Sequence, residues 1–154
     1  MSTPPSSVST RIKTQLKKKV AALDAVQQVY GYEEVKPTGW PAVFITPADL
    51  DGNFSSNAEN SRLYSYQLLI LFPIGEDFVT DTEANRLEYA EAVVASVIDE
   101  IVNTMDTDFE LPNSDPTVLF MEAADCAWGT YAYEGGVAKA AQINLKVYTE
   151  LTVQ

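Results

Sequence analysis

Residues 124–147 read ADCAWGTYAYEGGVAKAAQINLKV, two β-prone runs placed around the pair Gly135-Gly136. Two glycines between such runs signal a two-residue hairpin turn, because these turns need backbone angles that glycine adopts without penalty. A turn centred there sets Thr130, Trp128, Cys126 and Ala124 opposite Ala141, Ile143, Leu145 and Val147. That face is apolar except at Thr130, so the reading predicts a buried Trp128 and a buried, inert Cys126 thiol. The other face sets Tyr131 against Ala140 and Asp125 against Lys146, an aromatic contact and a charge pair. Pattern, turn and charge agree on one antiparallel hairpin, which closes the chain.

Working outward from the hairpin, Thr80-x-x-Glu83 is a capping box, and it predicts a helix over about residues 82–104. Leu87, Ala90, Val94, Val97, Ile98, Ile101 and Met105 form its buried stripe. Before it, Leu63 to Phe72 is the strongest strand pattern in the chain. Its even positions are all apolar or aromatic, and Leu69 and Leu71 add to the other face, as in a strand central to its sheet. Trp40 to Thr46 and Val26 to Tyr32 read as two shorter strands. Val8, Ile12, Leu16, Val20 and Leu23 make one stripe of a first helix starting near Ser9. The order is α-β-β-β-α-β-β. It predicts an α+β fold with two helices packed on a largely antiparallel sheet, as one domain over residues 9–154 behind a flexible segment 1–8.

The chain has 154 residues, enough for one core without a disulfide or metal staple. It contains no histidine and a single cysteine, which removes histidine-based triads, histidine-ligated zinc, intrachain disulfides and multi-cysteine metal sites. No phosphate-binding glycine loop or nucleophile-elbow motif occurs. Residues 49–57 alternate oxygen side chains like a calcium loop, but Phe54 stands where that loop needs glycine and Asn60 where it needs a bidentate glutamate. A plain polar loop fits better. The sequence therefore predicts no catalytic residue, no metal and no cofactor.

Twenty-two acidic residues against ten basic ones give a net charge of −12, which disfavours nucleic acid or an anionic membrane as the main partner. The charge is unevenly placed. Residues 1–40 carry six basic and three acidic groups, and residues 41–154 carry four basic and nineteen acidic. A solvated helix face and a contact surface both account for the basic first helix. With no signal peptide and no apolar run near the roughly 20 residues needed to span a bilayer, the expectation is a soluble protein made inside the cell. Two long polar connections, Ala48 to Arg62 and Asp106 to Pro116, carry large apolar residues that such loops normally lack. Leu50 and Phe54 in the first, with Phe109 and Leu111 in the second, are the candidate interface residues. Anchoring of each loop to its own domain is the competing reading.

The layout resembles the tail terminator (tail completion) proteins of long-tailed bacteriophages. What carries the resemblance is a short first helix, a strand, the strand Gly39-Trp40-Pro41-Ala42-Val43-Phe44-Ile45, a long polar loop, the aromatic-apolar strand, a long helix and a closing hairpin. It covers residues 9–152 and rests on order and texture. The family implies a structural virion protein, not an enzyme: a homohexameric ring at the head-proximal end of the tail. Its partners would be the tail tube protein and a head connector or stopper protein. DNA would pass through the lumen without specific binding, and six chains of −12 would carry −72 around it. Another neck or connector protein is the alternative within that class. A small acidic ligand- or metal-binding protein and a carboxylate hydrolase are the alternatives outside it. A ring or tail location, a metal-stabilised monomer, or turnover would mark each in turn.

Overall fold

The computed structural model describes residues 7–32, 37–48, 56–57, 61–74, 83–107, 117–134 and 136–150. The elements run α1 (Val8–Ala21), β1 (Gln28–Tyr30), β2 (Ala42–Pro47), β3 (Ser56–Asn57), β4 (Ser61–Pro73), α2 (Glu83–Thr107), β5 (Thr117–Tyr133) and β6 (Gly136–Glu150). The fold is α+β, two helices on a six-stranded mixed sheet of order β1-β2-β4-β6-β5, with β3 added beside β4. Among the described strands, only β1 and β2 pair in parallel. The leading part of the capping box, Thr80, lies outside the described residues.

Periodicity explains which side of each element is buried. In α1, Ile12, Leu16 and Val20 are fully buried, each four residues from the next, and all three point at the sheet. Ser7 caps the helix, its Oγ accepting from the Thr10 amide at 3.1 Å. Replacing Ser7 with alanine is expected to cost about 0.5–2 kcal/mol, read as a shifted denaturation midpoint, because an N-terminal amide loses its acceptor. The Tyr66 hydroxyl on β4 donates to the Ser9 carbonyl at 2.8 Å and so ties the first turn of α1 to the middle of the sheet. In α2, Ala90, Val94, Val97, Ile101 and Met105 are buried. Leu87, assigned to that stripe from its spacing, is exposed in the first turns, and Ile98 is half-buried.

β4 is central, paired with β2 along one side and β6 along the other. Its even residues Tyr64 to Phe72 join the helix-side core together with Val43, Ile45, Ala141, Ile143, Leu145 and Val147. Leu71 joins a smaller cluster on the opposite face with Ala42, Phe44, Ala138 and Ala140. No helix contributes to that cluster among the described residues.

The closing hairpin is present, but its register differs from the expected one. β5 ends at Tyr133 and β6 starts at Gly136, so the two residues between the strands are 134 and 135 rather than the glycine pair. Moving a two-residue turn by one position shifts every cross-strand pair by two, which preserves faces and changes partners. Trp128 therefore faces Ala141 instead of Ile143, and Asp125 faces Asn144 instead of Lys146. Lys146 faces Glu122, on the far side of a register shift between Ala123 and Asp125. Such an irregularity swaps the faces of the residues beyond it, which is how Met121 comes to lie in the core; a second shift, between Val118 and Phe120, swaps them back, and Val118 is buried there too.

Candidate functional site

Strand β5 is an edge, and its distal half is uncovered. Every residue from Asp125 to Thr130 is exposed, on both faces of the strand. Trp128 is 44% exposed, which corrects the expectation that it lies in the core. Cys126 is exposed as well, and its surroundings push its thiol pKa up, away from a reactive thiolate. The reason is one of length. Seventeen residues of strand extend about 56 Å, whereas the 25 residues of α2 cover about 37 Å. The hairpin outruns the helix that shields it, and the alternation of its residues could not reveal that shortfall. From Cys126 to Tyr133 the strand bears no charge. Isolated domains usually guard a long edge with charges, proline or a covering loop.

On the face away from the helices, rings from three strands converge. Tyr30 on β1 meets Phe44 on β2, centroids 5.7 Å apart and steeply tilted, and Phe44 meets Tyr131 on β5 at 5.8 Å. β2 and β5 are separated by two strands, roughly 14 Å. The rings bridge that gap because Leu71, Ala138 and Ala140 beneath them are mostly small. Trp40 completes the group against Tyr133, centroids 5.0 Å apart. The Trp40-Pro41 peptide is cis. Gly39 beside it is buried, and a Cβ there would fall 2.5 Å from the Gln28 side chain, so only glycine fits this approach. Next to the rings lies an open groove of about 320 Å³, lined by Leu69, Ala127, Gly129, Tyr131, Ala140 and Gln142.

Among the described residues, no group of three or more Cys, Asp or Glu side chains is placed to hold a metal. No buried side-chain nitrogen or oxygen there lacks a hydrogen-bond partner. Among the described residues, no helix is long and apolar enough to cross a membrane. The candidate interface residues Leu50, Phe54, Phe109 and Leu111, and most of the calcium-like loop, lie outside the described residues. The surfaces missed from sequence are the uncharged run 126–133 and the aromatic face. The run itself was the available signal, since a strand of that length without a charge is unusual at an edge.

What the described surface defines is an α+β domain suited to contact through an open sheet edge. No family model matches the chain, and no curated protein matches it. Among solved structures it is similar in fold to a chain from the virion of the native gene transfer agent (GTA) particle. The TM-score is 0.51 at 14% identity, covering 95% of this chain and 99% of that one. A second solved chain, which carries no functional name, gives a TM-score of 0.48 at 11% identity over 94% of both chains.

Proposed function

We propose that the protein is a structural virion component: a tail terminator, assembled as a ring of six at the head-proximal end of the tail. There it would stop growth of the tail tube and present the surface on which the head connector docks. The observation that carries this reading is the likeness in fold, nearly end to end, to a chain of the gene transfer agent virion. The element order that resembles tail terminators from sequence alone supports it independently. So does the uncharged β5 edge, which a neighbouring subunit would cover. The acidic balance suits a lumen through which DNA slides without being held.

Strand β4 and helix α2 take the ends of the two long connections read from the sequence, and what is left of them, 48–60 (which carries β3) and 108–116, would meet the tube and the connector, with Leu50, Phe54, Phe109 and Leu111 as apolar anchors inside an acidic rim. Replacing Leu50 and Phe54 together with serine is then expected to leave the purified chain folded while particles lose head–tail joining or normal tail length. Electron microscopy of the particles and a melting curve of the chain read the two effects separately. Unfolding of the double variant would place these residues in the core. Unchanged particles would remove the loop from the interface.

A further inference from the structure

The free side of β5 can be read residue by residue. On β6 the Val137 carbonyl accepts from the Ile74 amide, so odd residues there turn their main-chain groups toward β4 and even residues turn theirs toward β5. Near the turn those even residues oppose odd ones on β5: Gly136 with Tyr133, Ala138 with Tyr131, Ala140 with Gly129. The amides and carbonyls of Cys126, Trp128, Thr130 and Ala132 therefore point out of the sheet edge. All four residues are exposed. Their side chains stand on the helix side of the sheet, since Cys126 and Trp128 oppose Ile143 and Ala141 of the main core.

Charge, length and shape name the strand that fits this edge. The chain carries −12, so two copies repel wherever their acids meet, yet from Cys126 to Tyr133 there is no charge to oppose. The other edge of the sheet, β1, is only three residues long, and the side chains of Lys13 and Lys17 lie against Gly31 just beyond it. What matches β5 in length is a second β5. Helix α2 covers β5 around Val118 and Met121, short of the exposed stretch 125–130. Antiparallel pairing of two such strands places the two helix layers at opposite ends of the shared stretch, where they do not collide.

We propose that two free copies of this chain pair β5 to β5, antiparallel about a two-fold axis at Gly129. Cys126 then faces Ala132 of the second copy and Trp128 faces Thr130, in both directions, and each of these pairs exchanges two main-chain hydrogen bonds. Moving the axis one residue either way leaves three such pairs instead of four, because the next would fall on Glu134 in the turn or on the register shift before Asp125. At the axis the two backbones approach to about 4.5 Å between Cα atoms. Gly129 suits that point, having no side chain and open space where a Cβ would be. The proposal goes beyond the ring reading. A two-fold pair closes at two chains, so the edge is covered before assembly and opens when a ring neighbour takes it.

Two full-length variants test this beside the parent chain. Thr130→Pro removes one outward amide and leaves the bonds to β6 in place, so it is expected to stay folded by its urea curve while self-associating at least about tenfold more weakly in sedimentation. Ala132→Cys is expected, under mild oxidation, to join its introduced thiol to Cys126 of the second copy, as peptide mapping of the linked pair reads. The parent chain is expected not to link, because the two Cys126 thiols would stand six residues apart along the paired strands, roughly 20 Å. The same distance separates positions 126 and 132 within one chain, so the link reports only pairing between copies. A contact through the helix layer would leave Thr130→Pro unaffected and Ala132→Cys unlinked. Either of those results, a link in the parent chain, or a parent chain that stays single at high concentration would overturn the proposal. Electron microscopy of particles decides the functional reading separately. A ring at the neck without paired free chains removes this contact alone, and paired free chains without a ring remove the functional reading alone.

Discussion

Leu68→Ala is expected to lower the stability of the chain by about 2–5 kcal/mol, and Leu69→Ala by only about 1 kcal/mol. The two leucines are neighbours on the same strand and differ only in the face they present. Leu68 is fully buried between α1, α2 and the sheet, where truncation leaves a cavity that surrounding side chains cannot fill. Leu69 is half-buried on the open face, where water and the flanking rings can close over the gap. Urea denaturation at constant slope measures the difference as a shift in midpoint. Equal losses at the two positions would mean that the outer face is packed as firmly as the inner one, and the account of an open sheet would fall.

Between pH 10 and 12 the protein is expected to lose about 2–3 kcal/mol of stability through Tyr66 alone. Burial pushes its phenol from the ordinary value of 10.0 up to about 12, against the smaller opposing effect of the Ser9 hydroxyl, whose oxygen lies 3.3 Å from the phenol oxygen. Below pH 10 the phenol is protonated in both folded and unfolded chains, and its contribution is whole. As pH rises through this window the unfolded chain releases the proton first, so the unfolded state gains and stability falls. Tyr66→Phe should flatten that part of the pH profile. It should also cost about 1 kcal/mol at neutral pH, where the bond to the Ser9 carbonyl is lost. A profile equally steep in the variant would assign the alkaline loss to other groups.

Much of the fold was legible because periodicity and burial report the same thing. The strand 63–72 announced its central place through apolar residues on both faces, and α1 through three apolar residues at four-residue spacing. The hairpin was legible in kind but not in register. Glu134-Gly135 and Gly135-Gly136 are adjacent choices for a two-residue turn, and both keep every side chain on its face. The Asp125–Lys146 pair favoured the wrong one because Glu122 offers Lys146 the same charge. Exposure of Cys126 and Trp128 was not legible for a different reason. Alternation says which face a residue occupies, while whether that face is covered depends on the length and position of a helix elsewhere in the chain. The loops bearing Leu50, Phe54, Phe109 and Leu111 were singled out by composition, and the fold neither adds to nor subtracts from that choice.

The position of β6 has a consequence for how the molecule is made. It follows every other described element in sequence, yet it lies between β4 and β5. Its nearest pairing with β4 joins Pro73 to Ala138, 65 residues apart. Closing so long a loop is slow, and nothing N-terminal to residue 136 can substitute for that strand. A nascent chain thus emerges with β4, its most apolar strand, lacking a partner on one side until nearly all of the described sequence has left the ribosome. The local β5–β6 hairpin then arrives as a preformed unit and docks in one step. Fragments ending before residue 136 are left with an unpaired hydrophobic strand, which makes them substrates for chaperones and proteases and keeps incomplete chains out of any assembly.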